Sequence, residues 1–416
     1  MTNDSTELMR NLRMPSGQIG LWLIGAKGGV ATTVMTGLAA MARGLTPPIG
    51  LVTETEALRP LDLIGCDAIV VGGHDIRPGS VVEAAQRMWT ESRAIPPELL
   101  TAVTVDLEAI EVRLRPGSVL AAGDAISALA DASILARSET PRQMIDRIRD
   151  DIRQFASDSD LERVVVVNLA STEPPWTPPI PADYATVAAQ LDQPAAASPL
   201  PTSSLYAIAA FEADAAYINF TPSTGATPPA LDALARERGL PHAGCDGKTG
   251  ETLLKSVLAP MFAARNLDVM SWVGHNIFGN LDGRILDDPA NKAAKVQSKD
   301  HLLAALLPAP PQTLVSIEYI ESLGDWKTAW DHIHFRGFLG TPMMMQFTWQ
   351  GCDSILAAPL VIDLVRLVDR ARQAGECGQL PWLASFFKSP LGCAEQGFAA
   401  QVALLQRWIA NQTPGR

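Results

Sequence analysis

Positive charge is scarce in this chain. Its 416 residues carry 33 Lys and Arg against 45 Asp and Glu, a formal charge of −12. A general nucleic-acid binder presents a basic stripe, so that class is disfavoured, although a few lysines can still dominate a local cleft. Charged residues are only 19% of the chain and hydrophobic residues 47%. Such a composition excludes a disordered chain and implies a large core. The five cysteines, Cys66, Cys245, Cys352, Cys377 and Cys393, form no C-x-x-C pair and read as reduced thiols of a cytoplasmic protein. Six histidines include no H-E-x-x-H, and the alternating His332 and His334 are too little for a metal site, so no metal is expected. No run approaches the ~18 apolar residues of a membrane span. The longest apolar stretch, Ile19 to Met41, is interrupted by Gly25, Lys27, Gly28 and Gly29. The opening residues lack the apolar core of a signal peptide, and a soluble protein with no membrane partner is expected.

What is present is alternation. Ile19–Ile24 reads as a buried strand, the glycine turn Gly25–Ala31 follows, and a helix-like run begins at Thr32. Strand, glycine turn and helix open a dinucleotide-binding unit. Gly50–Glu54, Ala68–Val71, Val164–Val167 and Ala216–Phe220 read as further strands, with helices at Val81–Ala94, Gln143–Ser157 and Ser203–Ala215. The proline-rich stretch 174–202 reads as a loop with one helix near Tyr184–Leu191. This alternation predicts a mostly parallel sheet. The pattern changes near residue 252. After a helix at Thr252–Asn266, strands at Val269–Val273, Thr313–Tyr319, His332–Phe338 and Pro342–Trp349 suggest a second sheet with one polar face. A strong helix at Ile355–Ala374, a loop region at Gly375–Gly392 and a helix at Glu395–Asn411 complete the chain.

Several motifs could carry chemistry. The glycine turn spaces its residues G-x-x-G-G-x-A rather than G-x-G-x-x-G; it suits a pyrophosphate on the helix N-terminus, and equally a plain β–α turn. Glu54 is placed to meet ribose hydroxyls or simply solvent. Gly72-Gly-His-Asp-Ile76 follows a strand, which sets Asp75 to meet a ligand or to cap the next helix. Asp246-Gly-Lys-Thr-Gly-Glu251 leads into a helix and could cradle a phosphate without being a Walker motif. Asn276–Gly283 is a tight loop, followed by Lys292, Lys295 and Lys299; the last two share a helix face, where like charges repel unless an anion sits between them. Gly324-Asp-Trp-Lys327, Gly351–Pro359 and Phe386-Phe-Lys-Ser-Pro390 are each modest signals alone.

Taken in order, these segments resemble the myo-inositol-1-phosphate synthase family. The carrying residues are Gly25–Thr33, Gly72–Ile76, Ala170-Ser-Thr-Glu173, Ala216-Tyr-Ile-Asn219, Ala243–Leu258, His275–Gly283, Gly324–Lys327 and Asp353–Pro359, so the match runs from about residue 18 to 390. The resemblance implies an α/β fold: a Rossmann-like NAD domain from residues 1–251 and a C-terminal return at 355–416. Between them it implies an inserted α+β catalytic and tetramerisation domain, 252–354, on an open sheet. It implies a homotetramer and a catalytic NAD. The implied reaction oxidises glucose 6-phosphate at C5, enolises it, closes the ring by an intramolecular aldol step and returns the hydride. Lysines at matching positions, Lys295, Lys299, Lys327 and Lys388, would stabilise the enolate and alkoxide. By the same carry-over Asp246, Lys248, Thr249, Gly250, Glu251, Asn280 and Asp282 would bind substrate. Gly25, Gly28, Gly29, Val30, Ala31, Thr32, Asp75, Ala170, Ser171, Asn219, Asp353 and Ser354 would hold the cofactor.

The departures are local. Lys27, Val30 and Ala31 alter the glycine turn, and His74 stands where the family has Trp. Phe220-Thr-Pro-Ser223 and Asp287-Asp-Pro289 differ from the family's sequences. Glu251 replaces Gln and Leu281 replaces Asn. An acid near a phosphate weakens binding unless a lysine pairs with it. These changes leave two alternatives: a paralogue that closes another sugar phosphate, such as fructose 6-phosphate, to a five-membered cyclitol phosphate, or a non-catalytic NAD-binding relative. The four lysines argue against the latter.

Overall fold

The computed structural model describes residues 17–280, 283 and 302–412. Two sheets organise them. The larger has seven strands in the order β11-β6-β5-β4-β1-β2-β3. Its members are β1 (Ile19–Ile24), β2 (Ile69–Asp75), β3 (Leu114–Pro116), β4 (Arg163–Asn168), β5 (Ala216–Asn219), β6 (Pro241–Gly244) and β11 (Gly378–Gln379). Every recorded pairing in it is parallel. The chain runs outward from β1 in both directions, so a crevice opens between the carboxyl ends of β1 and β4. β1 is buried along its whole length, which is why IGLWLI carries no polar alternation.

Helices cover both faces. On one side α1 (Gly29–Ala42), α2 (Val81–Ser92) and α3 (Pro97–Glu111) pack over Leu21, Leu23, Val165, Val167 and Ile218. On the other, α4 (Pro141–Asp158), α5 (Thr202–Glu212) and α6 (Pro229–Glu237) pack over Trp22, Val164, Val166 and Tyr217. α4 shows how local sequence fixes an element. Thr140 and Gln143 form a capping box, Pro141 sits where no N–H is needed, and Met144, Ile145, Ile148, Ile152 and Phe155 form one apolar stripe.

The smaller sheet has four strands in the order β10-β9-β7-β8. These are β7 (Asp268–Phe278), β8 (Gln312–Tyr319), β9 (Trp326–Arg336) and β10 (Pro342–Cys352). β7 and β8 are parallel; the other pairings are antiparallel. One face packs on α7 (Gly250–Ala264) through Ala259, Phe262, Trp272 and Ile333. The opposite face carries Trp330 stacked on His275, with Leu314 and Met344 exposed. α8 (Asp353–Gln373) continues directly from β10 and returns the chain to the large sheet, where Val361, Leu364, Val365 and Val368 join the α1 side of the core. α9 (Phe398–Gln412) closes the fold; its Trp408 stacks on Trp382 at 3.8 Å, and both indole N–H groups donate to Glu376.

One expected strand is absent. Gly50–Glu54 forms a turn and a 3-10 segment, Val52–Glu54. The cause is tertiary. Asp363 of α8 accepts from Val52 N (2.7 Å), Thr53 N (2.9 Å) and Thr53 Oγ1 (2.6 Å), which leaves those amides unavailable to a sheet. Arg366 donates to Glu54 at 2.6 Å. Glu54, read as meeting ribose hydroxyls or solvent, thus pairs with Arg366, keeps a solvent-exposed side chain and is not among the cavity's lining residues. The loop region 375–392 likewise holds β11, a two-residue strand recruited by the edge of β6.

Candidate active site

A cavity of about 650 Å³ opens over the carboxyl ends of β1, β2 and β4 and reaches the smaller sheet. At one end lies the glycine turn. Gly25 has φ +82°, and a Cβ there would stand 2.9 Å from the Ala170 Cα, so both conformation and space demand glycine. The turn hangs on β2: Gly25 N and Ala26 N donate to His74 O, and Lys27 N donates to Asp75 Oδ2 at 2.6 Å. Asp75 also accepts Arg77 N at 2.7 Å. It therefore braces the turn from a buried position as well as lining the cavity.

The cavity is electrostatically biased. Gly28, Gly29, Val30 and Thr32 of the α1 start line it, as do Thr202 and Ser203 of α5, Thr249 at the α7 start and Asp353, Ser354 and Ala357 of α8. Four helix N-termini thus face one space with the positive ends of their dipoles, although Ser203 N and Ser354 N are already bonded to Glu173 and Asp325. α1 has no side-chain cap and no acid in its first turn. Such a cradle fits the diphosphate of a dinucleotide. Ala170 and Ser171, from the loop after β4, line the wall beside it. Ala31 points into the core, and Asn219 is spent below the floor on Thr221 and on Ser223 O, so neither forms the wall.

The far end gathers cations. Lys388 and Lys327 both line it. Lys388 arrives through a short pairing of 386–388 with the Asp246 loop: Lys388 N donates to Asp246 O, and Lys248 N to Phe386 O. This sets Lys388 Nζ 2.8 Å from Asp246 Oδ1. Lys327 enters from β9, with its Nζ 5.1 Å from the Phe278 ring centre. Asn280 also lines the cavity. Lys295, Lys299 and Asp282 lie outside the described residues.

Three residues expected at the substrate are not in the cavity wall. Lys248 turns inward to Gln401 of α9; burial pulls its ammonium down to about 8. Gly250 and Glu251 lie behind Thr249 in the first turn of α7. Glu251 meets Lys255 at 2.6 Å, and Asp331 lies 3.8 Å from the same ammonium, all three buried. The acid that replaces the family's glutamine is thus matched by a lysine one helical turn away.

Two groups went unnoticed as site residues. Asp325, inside the Gly324–Lys327 motif, accepts from Ser354 N (2.7 Å) and Asn280 Nδ2 (3.1 Å), while its own N donates to Ser92. It ties α2, β7, β9 and α8 at the cavity; burial raises its carboxyl pKa. Glu173, at the end of Ala170-Ser-Thr-Glu173, accepts from Ser203 N and Oγ at the α5 start, and burial lifts it to about 7. Each is the lone carboxylate of its motif, Gly324-Asp-Trp-Lys327 or Ala170-Ser-Thr-Glu173, and that was the available signal for both.

Comparison with known proteins follows this geometry. A sequence model described as myo-inositol-1-phosphate synthase matches residues 19–410. The chain belongs to that family. The inositol-3-phosphate synthase 1 of Bacteroides thetaiotaomicron is 34% identical over 406 residues, covering 92% of this chain and 92% of the relative. The inositol-3-phosphate synthase of Dictyostelium discoideum is 27% identical, covering 85% of this chain and 74% of the relative. Among solved structures, inositol-3-phosphate synthase from Caenorhabditis elegans superposes with TM-score 0.83 at 22% identity, covering 95% of this chain and 86% of that one. A myo-inositol-1-phosphate synthase-related protein from Thermotoga maritima gives 0.77 at 23%, covering 94% and 98%. These two show the shared fold. Members of the family are NAD-dependent intramolecular isomerases that cyclise glucose 6-phosphate, and none of these relatives favours the five-membered alternative.

Proposed function

We propose that this protein converts glucose 6-phosphate to inositol phosphate with a bound NAD that is regenerated in each cycle. The carrying observation is the cavity itself, which brings the α1 glycine turn and three other helix N-termini together with two lysines, Lys327 and Lys388. Bound NAD supplies a hydride acceptor that later becomes the donor. Gly28, Gly29, Val30 and Thr32 hold its diphosphate, with Ala170, Ser171, Asp353 and Ser354 along the wall. Thr249, Asn280 and Asp246 orient the sugar phosphate. Lys388, fixed by Asp246, and Lys327 neutralise the oxyanions that develop during enolisation and ring closure. Lys295 and Lys299 complete the set by resemblance. Asn219, Ala31, Lys248, Gly250 and Glu251 act from behind the wall as supports.

The reading includes a division of the chain into an NAD-binding part, 1–251 with 355–416, and an inserted catalytic and oligomerising part, 252–354. Support comes from sheet membership, since β11 joins the large sheet while β7 to β10 form the small one. The helices at both joints begin slightly earlier, at Gly250 and Asp353. A homotetramer is part of the proposal, supported by the apolar side chains on the open face of the small sheet. A cytoplasmic location is supported by five free cysteines.

The test is incubation with NAD and glucose 6-phosphate, following products by phosphorus NMR and absorbance at the reduced-nicotinamide band. Inositol phosphate should accumulate without net reduced cofactor. Lys388→Ala should lower kcat by roughly 10²–10³-fold, the usual cost of one oxyanion partner, with NAD affinity retained. Accumulation of reduced cofactor, or full activity in the variant, contradicts the proposal.

A further inference from the structure

We propose that Arg77 is a cofactor diphosphate clamp, so that ionic contact with a side chain, and not the glycine turn alone, holds the dinucleotide. The inference rests on the NAD-binding reading above. Arg77 follows β2 directly and lines the cavity. Its Nη2 lies 3.9 Å from where a Cβ on Gly28 would stand, at the very start of α1. That is where a diphosphate meets the first-turn N–H groups.

The guanidinium is aimed, not loose. Asp75 Oδ1 stands 3.3 Å from its Nε and Asp75 Oδ2 3.4 Å from its Nη2, contacts long enough to orient the group without spending its donors fully. Nη1 has no partner among the described residues. Asp75 is itself occupied by two backbone N–H groups, from Lys27 and Arg77, which disperse its charge.

The neighbouring cation is committed elsewhere. Lys27 Nζ donates to Gly79 O at 2.5 Å and pairs with Glu111 at 3.3 Å. Its ammonium therefore buttresses the loop that carries Arg77. No acid stands in the first turn of α1, and Arg77 has a planar donor edge still to offer a dianion there.

The test is calorimetric binding to the full chain, with no turnover required. Wild type, Arg77→Ala, Arg77→Gln and Arg77→Lys are titrated with NAD, ADP and adenosine at low and high salt. The expected result is a loss of about tenfold or more in NAD and ADP affinity for the Ala and Gln variants, with adenosine affinity unchanged and partial recovery in Lys. Wild-type NAD affinity should fall with salt, and the Ala variant should show a flatter dependence. Equal loss for adenosine and NAD assigns Arg77 a merely structural role through Asp75 and overturns the clamp. Unchanged NAD affinity in Arg77→Ala overturns it as well. Absence of NAD binding by the wild type instead overturns the underlying cofactor reading.

Discussion

At the residue scale, two of the departures from the family pattern, His74 and Glu251, are compensated where they occur. His74, in place of a tryptophan, is wholly buried between Trp22 and Asp151. Trp22 Nε1 donates to His74 Nδ1 at 2.8 Å, so the ring proton sits on Nε2, 3.0 Å from Asp151 Oδ2. Burial is the larger influence and lowers the imidazole pKa, with Asp151 opposing it. A histidine harder to protonate folded than unfolded gives stability that is complete above about pH 6.5 and drains away as pH falls below it. Protonation would also set two N–H donors, Trp22 and His74 Nδ1, against each other. Urea unfolding of wild type and His74→Gln from pH 8 to 5 should show the wild-type advantage shrinking below about pH 6.5; a constant difference contradicts this. Glu251 follows the same logic, since the acid comes with Lys255 beside it.

At the element scale, the turn Val52–Glu54 depends on a helix more than 300 residues later in the chain. Asp363 is buried, and that burial raises it to about 6 despite three donors. Asp363→Ala would leave Val52 N, Thr53 N and Thr53 Oγ1 without their acceptor, and Thr53 Oγ1 in turn accepts from the buried Arg366. Chemical denaturation should register a loss of about 3–5 kcal/mol, the usual cost of removing one partner from a buried charged cluster. Glu54→Ala, at the exposed side of the same cluster, should cost about 1 kcal/mol or less. This turn also marks where sequence reading stops. Ile19–Ile24, Val164–Val167 and the helices at Val81, Gln143 and Ile355 were legible because burial pattern and capping are local. The fate of Gly50–Glu54 was decided by Asp363 and Arg366, and no window around residue 52 contains them. Short β3, β6 and β11 escaped because two to four residues carry too little periodicity. In the site, the glycine turn, Asp246, Lys327 and Lys388 could be placed at one cavity from motif order. That Lys248 turns to α9 and that Asp325 joins four elements followed only from tertiary packing.

At the scale of the whole molecule, the small sheet presents an open face. Leu314 is 55% exposed and Met344 66%, with Trp330 and His275 stacked between them. A face of this kind is covered in an assembly of identical chains under the proposal above. Leu314→Glu combined with Met344→Lys should lower the mass seen by light scattering while leaving far-UV circular dichroism unchanged; an unaltered mass locates the contact elsewhere. The route of Lys388 into the cavity carries one more consequence. β1 to β6 and α1 to α6 are all synthesised before the segment 386–388 that pairs with the Asp246 loop. Lys388 is the last of the cavity's described lining residues to be synthesised, after Lys327, Asp353 and Ser354. Chemistry that needs this amine has to wait for it, a timing written into the path of the backbone.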